Sequence, residues 1–154
     1  MATKKDIGFD VDDAYAYVIV RTYRLLRWHF LKGMKALGID MTQEQFVMLN
    51  KLYHRDGCSQ GELVNETFND RANVSRIVGG LERKGWIKRS PDPVDGRGVR
   101  VFLLPAGRAI LVQIGEHVPE SRKQVYAGLT EQDFADLTRI CGQIERNVKG
   151  KAGF

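Results

Sequence analysis

The fold is decided by residues 70–103, which read DRANVSRIVGGLERKGWIKRSPDPVDGRGVRVFL. In the first third of this stretch the apolar residues recur with helical spacing, and Gly85 follows them as a typical helix terminator. Either Asn69 or Asp70 can cap the start of this helix. The spacing predicts that its buried side consists of Val74, Ile77, Val78 and Leu81.

After Gly85 the periodicity changes from helical to alternating. Trp86 and Ile87 begin one predicted strand, and residues 99–103 alternate along a returning strand. Residues 91–98 between them are rich in proline, glycine and aspartate, which favour turns. The sequence therefore predicts a β-hairpin with a polar tip, which we call the wing.

Two capping boxes lie upstream of this stretch. Thr42 with Gln45, and Ser59 with Glu62, have the spacing in which side chain and backbone cap each other at a helix start. They predict two helices before the one that follows Asp70. Short helices joined by a tight turn are typical of a helix-turn-helix.

Longer helices are predicted on both sides of this region. Residues 11–37 indicate one helix of about 40 Å, which would overhang so small a domain unless a second subunit covered its far end. Pro105 suits the first turn of another helix, which we expect Pro119 to kink or end. Thr130 and Asp133 form a third box that opens the last helix.

The predicted fold class is thus mostly α with a small β-hairpin wing. We expect residues 39–104 to form a winged helix-turn-helix DNA-binding domain. Residues 1–38 and 105–154 would supply the helices that flank it.

The excess positive charge is concentrated in one segment. The chain of 154 residues carries a net charge of +5, and between Arg71 and Arg100 eight basic residues face three acidic ones. This segment holds the entire surplus, since the rest of the chain balances at 16 against 16. A localised surplus of this kind is typical of a surface that binds phosphates.

The helix after Asp70 carries the side chains that read a major groove. Arginine can bond guanine with two hydrogen bonds, asparagine can bond adenine, and serine can reach a base or a phosphate. Opposite the apolar side, helical spacing places Arg71, Asn73, Ser75, Arg76, Gly79 and Gly80. The two glycines indicate either a close approach to another backbone or simply a surface position where the side chain does not matter.

The wing tip holds one arginine between glycines, Arg97. An arginine in this position can enter a narrow minor groove, where the negative potential is enhanced. Asp95 would repel DNA if it were unpaired, so we expect it to support the wing by pairing with Arg97 or with Arg76.

These motifs resemble the MarR family of bacterial transcription regulators, which are winged helix-turn-helix dimers. The resemblance is carried by residues 81–89, Asp92-Pro93, Asp95-Gly96-Arg97, residues 99–103 and Gly107. It implies that Arg71, Asn73, Ser75 and Arg76 face the groove and that Arg97 is the wing-tip arginine. It also implies a homodimeric repressor, bound to a pseudo-palindromic operator in double-stranded DNA. Residues 1–38 and 105–154 would form its helical dimerisation region, with the first and last two helices at the dimer interface.

The resemblance further implies a small-molecule effector. Members of this family commonly release DNA when an aromatic or phenolic ligand binds between the dimer helices and the DNA-binding lobe. Such a pocket could be lined by Tyr15, Tyr17, Tyr23, Trp28, His29, Phe30 and Tyr53, although an aromatic stripe at helical spacing is also typical of a core. We expect no other cofactor, no metal and no redox sensing.

The sequence argues against an enzyme. Three histidines are too dispersed for a zinc motif, and no glycine-rich phosphate loop or nucleophile elbow is present. His54 and Cys58 could approach each other, but we expect Cys58 and Cys141 to be buried thiols. The main alternative function is a winged helix that binds only protein.

The sequence also indicates where the protein works. No stretch approaches the roughly 18 apolar residues of a membrane span, and the acidic start is unlike a secretory signal. We therefore expect a cytoplasmic protein without a membrane partner.

Overall fold

The computed structural model describes residues 14–67, 70–93 and 98–152. Within these ranges the chain forms helices and three short strands in the following order: α1 (Tyr15–Ala36), α2 (Gln43–His54), β1 (Cys58–Ser59), α3 (Gln60–Thr67), α4 (Arg71–Arg83), β2 (Ile87–Pro91), β3 (Val99–Leu103), α5 (Pro105–Val125) and α6 (Glu131–Ala152). The predicted fold class, mostly helical with a small wing, is confirmed.

The sheet contains the predicted hairpin and one further strand. β2 and β3 are antiparallel, with Ile87 opposite Leu103 and Pro91 opposite Val99. β1 pairs with the other edge of β3, so that β3 is central. The sequence did not indicate β1, because a strand of two residues is too short to show alternation.

The capping boxes form as predicted. The Thr42 backbone N–H donates to the Gln45 side chain over 3.1 Å, and the Gln45 N–H donates to Thr42 Oγ1 over 3.2 Å. The third box is also present, with the Thr130 N–H donating to Asp133 Oδ2 over 2.7 Å. Each box satisfies backbone donors that a helix start otherwise leaves unpaired.

Helices α1 and α5 differ from the prediction in the residues at which they begin or end. α1 runs from Tyr15 to Ala36, and residues 11–13 lie outside the described ranges. α5 does not end at Pro119 but continues to Val125. A proline inside a helix removes one backbone hydrogen bond, and here the helical turns on both sides persist despite that loss.

The chain divides into two compact units, Met1–His117 and Val118–Phe154. The first unit contains the core, in which the following side chains are at most 3% exposed: Met48, Leu49, Leu52, Leu63, Val74, Ile77, Val78, Leu81, Ile87 and Val101. In the second unit the rings of Tyr126 and Phe134 pack edge to face, with centroids 5.4 Å apart. Our prediction of a dimerisation region and a DNA-binding domain is a functional division and stays a prediction.

No helix in the described ranges is both long enough and apolar enough to cross a bilayer.

Gly107 marks a close approach of α5 to the segment between α4 and β2. A Cβ atom at this position would lie 2.3 Å from the backbone oxygen of Trp86 and 2.8 Å from Leu103 Cδ1. The same Trp86 oxygen accepts a hydrogen bond from the Leu104 N–H over 2.9 Å. The start of α5 therefore packs directly against backbone, with no space for a side chain.

We predict that Gly107→Ala destabilises the protein by about 1–3 kcal/mol, because a backbone segment must move to admit the methyl group. Gly115→Ala on the same helix is the matched control, since a Cβ there meets nothing within 4 Å. It should stabilise the protein by up to about 1 kcal/mol through helix propensity. Urea unfolding of both variants measures the difference, and equal midpoints would contradict the packing described for Gly107.

Candidate nucleic-acid interface

The second capping box positions the first helix of the helix-turn-helix. The Ser59 N–H donates to Glu62 Oε2 over 2.7 Å, and the Glu62 N–H donates to Ser59 Oγ over 3.1 Å. Glu62 also forms an ion pair with Arg55 in the preceding turn. The hydrogen bonds from Ser59 and the charge of Arg55 hold the pKa of Glu62 below its ordinary value of 4.5. The start of α3 is thus fixed by a carboxylate that stays ionised.

The sequence offered two candidates, Asn69 and Asp70, for the residue that caps the start of α4. Asp70 takes this role, since its Oδ1 accepts from the Asn73 N–H over 2.7 Å. The predicted apolar stripe is confirmed, because Val74, Ile77, Val78 and Leu81 are all at most 3% exposed. Burial of this stripe determines which face of α4 points outward.

Three of the four predicted groove-facing residues on α4 are exposed, namely Arg71, Ser75 and Arg76. Asn73 is half-buried, and its Oδ1 accepts a hydrogen bond from Arg76 Nη2 over 2.6 Å. The structure therefore brings Asn73 and Arg76 together as a pair. In this arrangement the amide oxygen of Asn73 orients the guanidinium of Arg76.

The two glycines of α4 do not lie on the same surface, contrary to our expectation. Gly80 is buried, and a Cβ atom there would lie 3.0 Å from Nε2 of Gln45 on α2. Gly79 is half-buried, and a Cβ there would meet only Arg83. Placing Gly80 on the exposed face was wrong, because it lies on the edge of α4 that packs against α2.

One further cation on the exposed face of α4 was missed by the sequence argument. Arg83 follows Arg76 by seven residues, which is two helical turns and therefore the same face. Its Nη1 lies 3.5 Å from where a Cβ of Gly79 would be, so the guanidinium extends back over that glycine. The seven-residue spacing was the signal that could have found it.

Ion pairs neutralise part of the basic segment. Arg89 Nε contacts Glu82 Oε2 over 2.9 Å, and Lys84 Nζ contacts Asp40 Oδ2 over 2.7 Å. Accordingly, hydrogen bonds and charge from Arg89 lower the pKa of Glu82.

A third pair joins Arg100 Nε to Asp92 Oδ2 over 2.9 Å. Four cations of the segment form no ion pair with another described residue, and they are Arg71, Arg76, Arg83 and Lys88. Three of these four belong to α4. Within the described part of the basic segment, the cations without an ion pair therefore lie mainly on the outward face of α4.

The base of the wing is described, and its tip is not. Asp92 and Gly98 are joined by a backbone hydrogen bond of 2.9 Å. Asp95 and Arg97 lie outside the described residues. The minor-groove role of Arg97 and the pairing of Asp95 stay predictions.

The alternative site at His54 and Cys58 is not assembled as a reactive pair. The buried Cys58 thiol donates to the backbone oxygen of Arg55 over 2.9 Å, while the exposed His54 packs edge-on against Tyr53. Cys141 is half-buried, so the expectation of two buried thiols was right only for Cys58. In the described ranges no group of three potential ligands could hold a metal ion.

Comparison with known proteins identifies the architecture. The MarR family model matches residues 41–99, which run from the start of α2 into β3. A solved probable transcriptional regulator from Pseudomonas aeruginosa is 30% identical, with a TM-score of 0.79 over 88% of this chain and 99% of that one. The chain belongs to the MarR family. Members of this family are transcription regulators and not enzymes, in agreement with the prediction.

Two further relatives of this MarR family protein cover most of its length. A mutant MarR from E. coli, solved in complex with operator DNA, is 25% identical, with a TM-score of 0.78 over 84% of this chain and 91% of that one. The uncharacterized HTH-type transcriptional regulator YsmB of Bacillus subtilis (strain 168) is 25% identical over 121 residues, covering 78% of this chain and 83% of that protein. Similarity thus extends well beyond the matched domain.

We predict that the cap of α3 loses stability in acid. Because the folded-state pKa of Glu62 is lowered, its contribution is present above pH 4.5 and is lost as the pH falls through the folded value. Glu62→Gln removes this titration, so its stability should fall less steeply than that of the wild type between about pH 6 and pH 3.

Thermal unfolding across this pH range measures the effect, with Glu116→Gln on the exposed surface of α5 as the control. A Glu62→Gln curve that runs parallel to the wild type would contradict the ionised cap.

Proposed function

We propose that this protein is a homodimeric repressor that binds a pseudo-palindromic operator in double-stranded DNA. One observation carries the proposal: α4 buries its apolar stripe and directs outward three arginines that form no ion pair with another described residue, namely Arg71, Arg76 and Arg83. The E. coli relative solved with operator DNA supports the same use of the fold. Two such helices in successive major grooves would lie about 10 bp apart, centre to centre.

Each residue of α4 has a distinct proposed role. Arg76, oriented by Asn73, reads a guanine through its free guanidinium nitrogens. Ser75 contacts a base or a phosphate from the exposed face, and Arg71 contacts DNA from the first turn. Arg83, two turns further along, contacts the phosphate backbone.

The wing completes the proposed interface from the side. Arg97 enters the minor groove next to the α4 site, and Asp95 supports the wing by pairing with an arginine. These two roles rest on the family resemblance and on the hairpin that β2 and β3 form.

Exposed apolar faces support the proposed homodimer. In the first unit, α1 exposes Tyr15, Ile19 and Trp28 by 87%, 46% and 62%. In the second unit, α6 exposes an apolar stripe at helical spacing, and its members are Leu137, Ile140, Ile144 and Val148. Monomeric soluble proteins rarely expose large contiguous apolar patches, so these faces are typical of an interface with a second copy.

We also propose a small aromatic effector, on the basis of the family resemblance. The aromatic residues expected to line its pocket do not line the cavity beside the end of α1. That cavity has a volume of about 350 Å³ and is lined by Leu37, Gly38, Ile39, Asp40, Lys84, Trp86, Ile110 and Gln113. Its volume suits a small organic ligand.

We predict that Arg76→Ala and Arg83→Ala weaken DNA binding in different ways. Arg76→Ala should cost about 1–3 kcal/mol and relax the preference for one base, whereas Arg83→Ala should lower the salt dependence by about one phosphate contact. Asn73→Ala should resemble Arg76→Ala, because the guanidinium loses its orienting partner. Mobility shifts at several salt concentrations, on duplexes selected by the wild type from a random library, measure both effects.

Arg122→Ala is the matched control for these variants, since Arg122 is an exposed arginine on α5, distant in sequence from α4. If Arg76→Ala and Arg83→Ala bind as tightly as Arg122→Ala, the assignment of the α4 face is wrong. Binding by the wild type that does not change with salt would favour the protein-binding alternative.

We predict that the wild type has about twice the 17.5 kDa mass of one chain in solution. Ile140→Lys places a charge in the apolar stripe of α6 and should shift the protein toward the monomer, because an unpaired charge would be buried in the interface. Ala135→Lys, on the opposite face of α6, is the control. Light scattering across a dilution series measures the mass, and a monomeric wild type would exclude the homodimer.

A further inference from the structure

The base of the wing contains a buried acid. Asp92 follows β2 directly and is only 8% exposed, which makes it the buried charged residue among the described side chains. A buried carboxylate is costly unless it is paired and hydrogen-bonded. A carboxylate at this position therefore needs a defined partner, and it fixes the position of that partner in return.

The partner of Asp92 is Arg100 on the central strand β3. Arg100 Nε contacts Asp92 Oδ2 over 2.9 Å, and Arg100 Nη1 donates to the backbone oxygen of Gly57 over 2.9 Å. One planar guanidinium therefore joins the end of β2 to the turn between α2 and β1. A lysine in the same place has a single nitrogen and no such planar fork, so it cannot reproduce both contacts with this geometry.

The turn that Arg100 contacts is itself tied to β3. Gly57 has a φ of +72°, and its N–H donates to Asp56 Oδ1 over 3.0 Å. The same oxygen accepts from the Leu103 N–H over 2.8 Å. The turn is thus attached to β3 through Asp56 and through Gly57, immediately before the Ser59 capping box that starts α3.

The backbone of Asp92 closes the wing loop. Its N–H donates to the Gly98 oxygen over 2.9 Å, so residues 93–97 connect two positions that are fixed to each other. The side chain of Asp92 then attaches this closed base to the helix-turn-helix through Arg100 and Gly57. Together these contacts fix the base of the wing relative to the turn that precedes α3.

We propose that Arg100, held by Asp92, is a positioning residue for DNA binding. It holds the base of the wing, where β2 ends and β3 begins, and the turn before α3 in one arrangement, so that this base need not rearrange when DNA binds. This inference rests on the proposed function, because it assigns to Arg100 an effect on DNA that is exerted through the wing.

Arg100→Lys is the decisive variant, since it keeps the positive charge and removes the fork. On a duplex that the wild type selects from a random library, we expect affinity to fall about tenfold. In a hydroxyl-radical footprint, protection of the flanking minor grooves should be lost. Methylation protection of guanines in the central major grooves should persist, because α4 is unchanged.

Arg89→Lys is the matched control, because Arg89 forms a similar fork with Glu82 that does not involve the wing base. It should retain the flanking protection. Asp92→Asn serves as a second variant, and it should reproduce the footprint of Arg100→Lys. The melting temperature of each variant is measured alongside; it should fall, because the partner of a buried carboxylate is altered, and the footprints are therefore taken well below it, where the variants are folded.

A double-mutant cycle separates positioning from a general loss of structure. If Arg100 acts through the wing, Arg100→Lys should weaken binding little further in a chain that already carries Arg97→Ala. Additive effects would overturn the inference, as would wild-type flanking protection in Arg100→Lys, or equal loss of central and flanking protection. A wild type that selects no sequence at all would instead overturn the proposed function.

Discussion

The burial of one side of α4 is the constraint on which the rest of the interface depends. Val74, Ile77, Val78 and Leu81 repeat at intervals of three and four residues, so their burial leaves a single face of the helix outward. Gly80 permits α2 to pack closely on the adjoining edge. A helix fixed on two sides cannot rotate, and the side chains of Ser75 and Arg76 therefore project in a defined direction.

Charge then distinguishes this outward face from the rest of the basic segment, residues 71–100. Three basic residues form ion pairs that connect separate elements of the fold. They are Lys84 with Asp40, Arg89 with Glu82, and Arg100 with Asp92. Among the described residues of the basic segment 71–100, three of the four cations without such partners lie on α4. Surface ion pairs contribute little stability individually, so the larger effect of this arrangement is on where positive potential is left. The net charge of the chain alone would not reveal that distribution.

The sequence predicted what is determined locally and missed what is determined by distant contacts. The capping boxes and the apolar stripe of α4 depend on residues three or four apart, so the spacing of these residues in the sequence was sufficient to predict them. β1 has two residues, and it exists because β3 offers an edge to which it can pair. The bond from Arg100 to Gly57 spans 43 positions, and nothing in either neighbourhood indicates it. Gly80 was placed on the wrong surface for the same reason, since the position of α2 decides its environment.

The contact at Gly107 has a mechanical consequence for a regulator. Because the first turn of α5 touches the carbonyl of Trp86 without an intervening side chain, there is no compressible layer between that helix and the segment that ends α4. Flexible side chains absorb small displacements by changing rotamer, and backbone pressed against backbone does not. A shift of Gly107 would thus pass directly to the backbone of Trp86, three residues beyond the end of α4.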